Sequence, residues 1–290
     1  MKILTTGATG HFGAKVVELL LKRVPTERVA VSVRDPKKAS ALRERGVDVR
    51  QGDFDDPASL AKAFAGVDRL LIVSTDGDNE TRLRQHRNAV MAAEHAGVGF
   101  IAYTSLIRAD TSPLALAEVH RQTEAAIRAT GIPYCFLRNN WYLENEVGAV
   151  ESAANGGPVI TAAGQGRVGW VVRADLAEAA AVVLAGEGHK NTVYELSGRP
   201  QTYEDLARII GRVVGREVPV RHVDDAEYEK MLAGLGLPGY LLELLVDAQR
   251  AMRKGALDVT SGDLEKLLGR PGTSLEEGVR RILESLAAGA

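Results

Sequence analysis

The chain of 290 residues is poor in several things, and each shortage excludes a class of protein. It has one cysteine, Cys135. A single thiol builds no disulfide framework, so a reducing compartment, the cytoplasm, is expected. Cys135 lies in the apolar run Tyr134-Cys135-Phe136-Leu137 and reads as a buried strand residue, not a nucleophile. Neither charge is in surplus: 36 lysines and arginines face 38 aspartates and glutamates, a net charge of −2. That leaves no global basic field for a nucleic acid partner. No apolar run reaches about eighteen residues, so no membrane insertion is expected, and the opening residues read as a strand, not a signal peptide. No internal repeat, low-complexity segment or metal site is found.

What is present starts with Gly7-Ala8-Thr9-Gly10-His11-Phe12-Gly13. Before it, Lys2-Ile3-Leu4-Thr5-Thr6 reads as a short buried strand. After it, Phe12, Val16, Val17, Leu20 and Leu21 recur at spacings of three and four, one apolar face of a helix. Three glycines between a strand and a helix suit a dinucleotide. The first permits a sharp turn, the second lets a ligand approach the backbone, and the third lets the helix pack close to the strand. Amides at the helix start then face a phosphate. The spacing is G-x-x-G-x-x-G, not G-x-G-x-x-G, so the flanking strand and helix carry the assignment.

The second strand, Arg28 to Val33, indicates which dinucleotide. An NAD site usually has an acidic residue at this tip for the ribose 2′-hydroxyl. Here the tip offers Arg34, with Lys37 and Lys38 behind it, and an arginine can hold a 2′-phosphate through two donors. Asp35, just before Pro36, reads as the cap of the next helix. The expected cofactor is NADPH.

Strand and helix patterns alternate to residue 137, giving six strands, so an α/β fold with a doubly wound parallel (Rossmann) sheet is expected. Ligands bind such sheets at the carboxyl ends of strands, where Arg34, Ser74, Thr75, Thr104, Ser105, Arg138 and Asn139 lie. Asp56-Pro57 signals a helix start, as do Thr202 with Asp205 and Ser274 with Glu277. The nucleotide-binding domain is expected over 1–140, joined by about 172–198. A smaller, mainly helical lobe is expected over about 141–171 and 199–290, with helices near 224–235 and 237–254.

These residues resemble the NmrA-like atypical short-chain dehydrogenase/reductases, and among them the bacterial NADPH-dependent quinone reductases. The resemblance covers nearly the whole chain. It rests on Thr6 to Gly10, Gln85-His86-Arg87-Asn88, Phe100 to Leu106, Ala109 to Leu114, Leu137-Arg138-Asn139, Trp141-Tyr142, Glu144-Asn145 and Arg173-Ala174-Asp175. It implies that Gly7 to Gly13 and Arg34 bind the nucleotide phosphates, that Ser74 and Thr75 line the ribose and pyrophosphate, and that Asn139 to Glu144 border the nicotinamide. Asp53, Phe54, Thr104, Ser105, Arg138, Leu143 and Arg173 join the cofactor-binding set. A homo-oligomer is compatible with the resemblance.

Typical members of the wider superfamily use Tyr-x-x-x-Lys for acid catalysis. Counting back from Glu124 puts His120 at the Lys position and Leu116 at the Tyr position. Ketone reduction makes an alkoxide, which needs a proton donor. Hydride addition to a quinone makes a phenolate, and a phenol pKa of about 10 lets that anion wait for water. A small-molecule quinone is therefore the expected substrate, with Trp141 and Tyr142 stacking on it and Asn139 or Asn140 donating to its oxygen. His120 is a candidate proton donor with a usable pKa, or an ordinary hydrogen-bonded histidine. Two alternatives stand beside this: a redox sensor that binds NADP(H) without turnover, and a reductase of conjugated or azo dyes.

Overall fold

The computed structural model describes residues 1–289. In chain order its elements are β1 (Ile3–Thr6), α1 (His11–Leu20), β2 (Val29–Val33), α2 (Ser40–Glu44), β3 (Asp48–Gln51), α3 (Pro57–Phe64), β4 (Arg69–Ile72), α4 (Asn79–His95), β5 (Phe100–Leu106), α5 (Ala115–Ala129) and β6 (Tyr134–Asn139). There follow α6 (Val147–Ala154), β7 (Val159–Thr161), α7 (Arg173–Ala185), β8 (Thr192–Leu196), α8 (Tyr203–Val214), β9 (Val220–His222), α9 (Asp225–Ala233), α10 (Gly239–Arg253), α11 (Asp263–Leu268) and α12 (Leu275–Gly289).

Seven strands form one sheet in the order β3-β2-β1-β4-β5-β6-β8. Ile3 of β1 pairs with Val29 on one side and Arg69 on the other, both in parallel register. The order reverses between β1 and β4, which is the switch point of a doubly wound sheet. Strands β1, β2, β4 and β5 are buried throughout, as sheets covered on both faces require. One face buries Leu4, Phe64, Leu70, Ile101 and Phe136 together. Phe12, Val16, Val17 and Leu20 are the buried stripe of α1, as their spacing requires. Cys135 is fully buried in β6, and burial pushes its thiol up to about 12, so it is inert.

The chain separates into two compact units. The first comprises 1–109, 118–138 and 176–194; the second comprises 110–117, 139–175 and 195–290. The second unit holds α6 and α8 to α12, and also a parallel two-stranded sheet of β7 and β9 that the helical pattern of the sequence does not announce. Strands of three residues are too short to display an alternation. Thr202 and Asp205 form the expected capping box at the start of α8. Ser274 Oγ accepts from the Glu277 amide at the last helix. The stretch 36–44, expected as one helix, is a 3₁₀ turn over Pro36–Ala39 followed by the short α2.

Candidate functional site

In the first unit the carboxyl ends of β1 to β5 carry the glycine turn, Arg34, the Asp53-Phe54 loop, Ser74 and Thr104. Gly7 sits at φ +63°, a conformation that favours glycine. A side chain on Gly13 would collide with the Gly7 carbonyl, so the third glycine sets the close approach of α1 to β1. Gly10 is the N-cap of α1. No side chain caps this helix end, and its first turn holds no acidic residue. The positive end of the helix and its first amides are thus left for an anion. This is what a dinucleotide pyrophosphate needs, and Thr9, Gly10 and His11 around it are exposed.

Arg34 is exposed just beyond β2. Asp35 accepts a hydrogen bond from the Lys37 amide at 3.0 Å, so its carboxylate caps the following turn, as the sequence implied. Asp53 Oδ1 accepts from the Asp55 amide at 3.0 Å, and the Phe54 carbonyl accepts from Asn88 at 2.8 Å, which fixes the loop after β3. Arg84 first, then Gln85, with Arg34 a further charge, hold the Asp55 carboxyl below the usual range. At the next strand tip, the Ser74 amide donates to Thr104 Oγ1 at 2.8 Å, and the Thr75 amide donates to His86 Nε2 at 3.0 Å. Thr104 therefore shapes the loop that carries Ser74.

Behind this face lies a buried polar string. Because His86 Nε2 accepts from Thr75, its proton is on Nδ1, which donates to Thr123 Oγ1 at 2.9 Å. Burial, aided by the Arg82 charge, pushes His86 down to about 3. The Tyr103 hydroxyl shares a hydrogen bond of 2.8 Å with His120 Nδ1. Burial first, with His86 and Arg82 as neighbours that would oppose a second positive charge, holds His120 well below the ordinary histidine value. His120 is neutral, which corrects the expectation of a usable pKa.

Ser105 and Arg138, expected in the cofactor-binding set, have partners inside this unit. Ser105 donates to Glu124 at 2.7 Å. Arg138 makes two parallel bonds to the same carboxylate, at 2.9 and 2.8 Å, with both partners buried. The Arg138–Glu124 ion pair, joined by the Ser105 hydroxyl, ties β5, α5 and β6 together and occupies the side chains expected to face the cofactor. The acidic partner lies 14 residues from Arg138 on another element.

The second unit carries the other named residues. The amide of Asn140 donates to Ser197 Oγ at 2.9 Å and to the Leu257 carbonyl at 3.1 Å, and its Oδ1 accepts from the Trp141 amide at 2.8 Å. Both amide hydrogens are used, so Asn140 has no donor left for a substrate. Leu143 is fully buried; a side chain on Gly278 of α12 would strike it, so it is core. Glu144 accepts from the Arg173 amide with both oxygens at 3.0 Å, and caps α7. The Arg173 guanidinium lies 5.4 Å from the Tyr142 ring centroid. Asn139 differs from these. It is buried, its amide nitrogen reaches Tyr142 Oη at 3.4 Å, and its Oδ1 has no partner among the described residues.

Sequence reasoning missed Glu146. Its Oε1 accepts from Trp141 Nε1 at 3.1 Å, Trp170 Nε1 at 3.0 Å and Tyr203 Oη at 3.1 Å. Burial raises its acid above the ordinary value, while the three donors pull it back. The only signal in the sequence was its position in Glu144-Asn145-Glu146. Among the described residues no group of histidine, cysteine and carboxylate side chains could hold a metal, and no helix is long and apolar enough to cross a membrane.

A doubly wound sheet with an anion-ready glycine turn, an arginine at the second strand tip and no Tyr-Lys pair defines a nucleotide-binding protein of the atypical short-chain dehydrogenase/reductase type. The chain belongs to the NmrA-like family, whose model matches residues 1–277. It is 43% identical over 281 residues to quinone oxidoreductase 2 of Escherichia coli (strain K12), spanning 97% of this chain and 98% of that one. The structure of the NADPH-dependent quinone oxidoreductase from Escherichia coli, complexed with NADPH, superposes with a TM-score of 0.93 at 42% identity, covering 97% and 99% of the two chains. Triphenylmethane reductase from Citrobacter sp., complexed with NADP(H), also gives a TM-score of 0.93 at 42% identity, over 97% and 100%.

Proposed function

We propose that this protein is an NADPH-dependent reductase that delivers two electrons to a quinone and releases the quinol. The observation that carries the reading is its likeness, over nearly the full length of both chains, to a quinone oxidoreductase. The chemistry of the residues agrees. Bound NADPH supplies a hydride. Gly7, Thr9, Gly10, His11, Phe12 and Gly13 take its pyrophosphate at the start of α1, and Arg34 takes the 2′-phosphate. Ser74 and Thr75 border the ribose, beside the Asp53-Phe54 loop. Asn139 Oδ1, a buried acceptor without a partner among the described residues, is the group that would accept from a carboxamide N–H. Trp141 and Tyr142 offer aromatic faces to the oxidant.

With His120 neutral and buried and Leu116 in place of a tyrosine, the protein supplies no general acid. A phenolate product needs none, because a phenol pKa of about 10 makes it a weak enough base to wait for water. A second reading, reduction of conjugated cationic dyes by the same route, is supported by the likeness to triphenylmethane reductase. The test is loss of NADPH absorbance on adding p-benzoquinone or a triphenylmethane dye to the purified chain. Quinone turnover is expected; turnover of the dye alone would select the second reading, and turnover of neither would remove both.

A further inference from the structure

Glu146 stands at the N-cap of α6, where a short acid often caps the helix, yet its side chain makes no cap. It turns inward instead. A directed string of hydrogen bonds ends on it. Thr161 Oγ1 and the Ala162 amide donate to Gln249 Oε1, both at 2.8 Å. Gln249 Nε2 donates to Tyr203 Oη at 3.1 Å, and Tyr203 donates to Glu146 Oε1. The indole N–H groups of Trp141 and Trp170 complete the set, and these are the only two tryptophans in the chain. The ring of Trp170 meets that of Tyr203 edge-on, with centroids 5.2 Å apart. Among the described residues no lysine or arginine pairs with Glu146, and its Oε2 accepts no hydrogen bond.

A buried acid without a cation costs stability, and a neutral isostere accepting the same bonds would cost less. Three donors converging on one oxygen favour the ionised carboxylate against the burial that opposes it, and that carboxylate sets a negative charge against the indole N–H of Trp141, which is half-buried while Trp170 is buried. A charged acceptor holds that indole in one orientation and drives electron density into its ring. An electron-rich ring stacks best on an electron-poor one. We propose that Glu146 is the positioning residue of the substrate face: it fixes and polarises Trp141 as an electron-rich wall that selects flat, electron-poor oxidants that are uncharged or cationic. The proposal rests on the reading that Trp141 borders the quinone.

The experiment compares the full-length protein with Glu146→Gln, which keeps the acceptor and removes the charge. At saturating NADPH, KM for p-benzoquinone should rise about tenfold with kcat changed less than about twofold, the loss expected for a charge-assisted contact made in binding. The thermal midpoint should stay or rise, whereas a merely structural role requires it to fall. In a Trp170→Phe background, the emission of Trp141 as sole indole should shift on Glu146→Gln. In a Trp141→Phe background, Glu146→Gln should leave KM unchanged. An unchanged KM with an unshifted emission overturns the proposal, as does a fall in midpoint and kcat at constant KM, or a KM effect that persists without Trp141. If the unmodified protein turns over no quinone, the functional reading fails separately, and an unshifted Trp141 spectrum still overturns the role of Glu146.

Discussion

Arg34 stands exposed beyond β2, and the Asp35 carboxylate accepts from the Lys37 amide as the cap of the following turn. A hydrogen bond to a charged group contributes about 1.5–3 kcal/mol, so Arg34→Ala should weaken NADPH roughly tenfold to a hundredfold and leave NADH nearly unchanged. Cofactor titrations check this; equal losses would show that Arg34 does not read the 2′-phosphate. His120 is the opposite case. Its burial holds it neutral across ordinary working pH, so kcat/KM for a quinone should show no inflection that vanishes in His120→Ala, and that variant should retain turnover within about tenfold. Complete loss in a folded His120→Ala protein would mean that the proton matters after all. At this scale the sequence is legible where a partner is local. Asp35 before Pro36 announces its cap. Asn140 and Glu144 do not announce theirs, because Ser197, Leu257 and the Arg173 amide are brought to them by folding. Glu146 was invisible for the same reason, since two of its three donors come from residues 24 and 57 positions away.

Between α4, β5 and α5, the pinning group is His86, which accepts from the strand tip at Thr75 and donates to Thr123. Its folded value of about 3 lies below the ordinary 6.5. The unfolded chain therefore binds a proton first as pH falls, and the stability present above pH 6.5 is lost progressively toward pH 3. The amount is on the order of a few kcal/mol. The ordinary histidine value lies above the ordinary carboxylate range, so acid destabilisation should begin near pH 6. Thermal midpoints of the protein and of His86→Gln across this range test it: the variant should lose less between pH 6.5 and 5, and equal slopes would contradict the assignment. Long elements with a clear period or a cap were readable, including α1, α3 behind Asp56-Pro57, and α8 behind Thr202. The β7–β9 pair was not, because three residues carry no period and their pairing spans 61 positions, from Val159 to Val220.

For the molecule as a whole, the seven-stranded order with its reversal between β1 and β4 follows from alternating strand and helix patterns, which leave few right-handed topologies. One boundary between the two units falls inside one helix. Residues 110–117 belong with the second unit and 118–138 with the first, although both ranges enter α5. No composition change marks that point, because a helix can pass through it without a break. The function is carried at this scale by likeness over nearly the whole chain to a quinone oxidoreductase 43% identical to it.

The most direct measurement is the stoichiometry of NADPH oxidised to p-benzoquinone reduced, taken with dissolved oxygen monitored. One NADPH should be consumed for each quinol formed, with no oxygen uptake, because hydride transfer bypasses the semiquinone. Oxygen consumption in step with NADPH loss, or no oxidation of NADPH by any quinone, would contradict it.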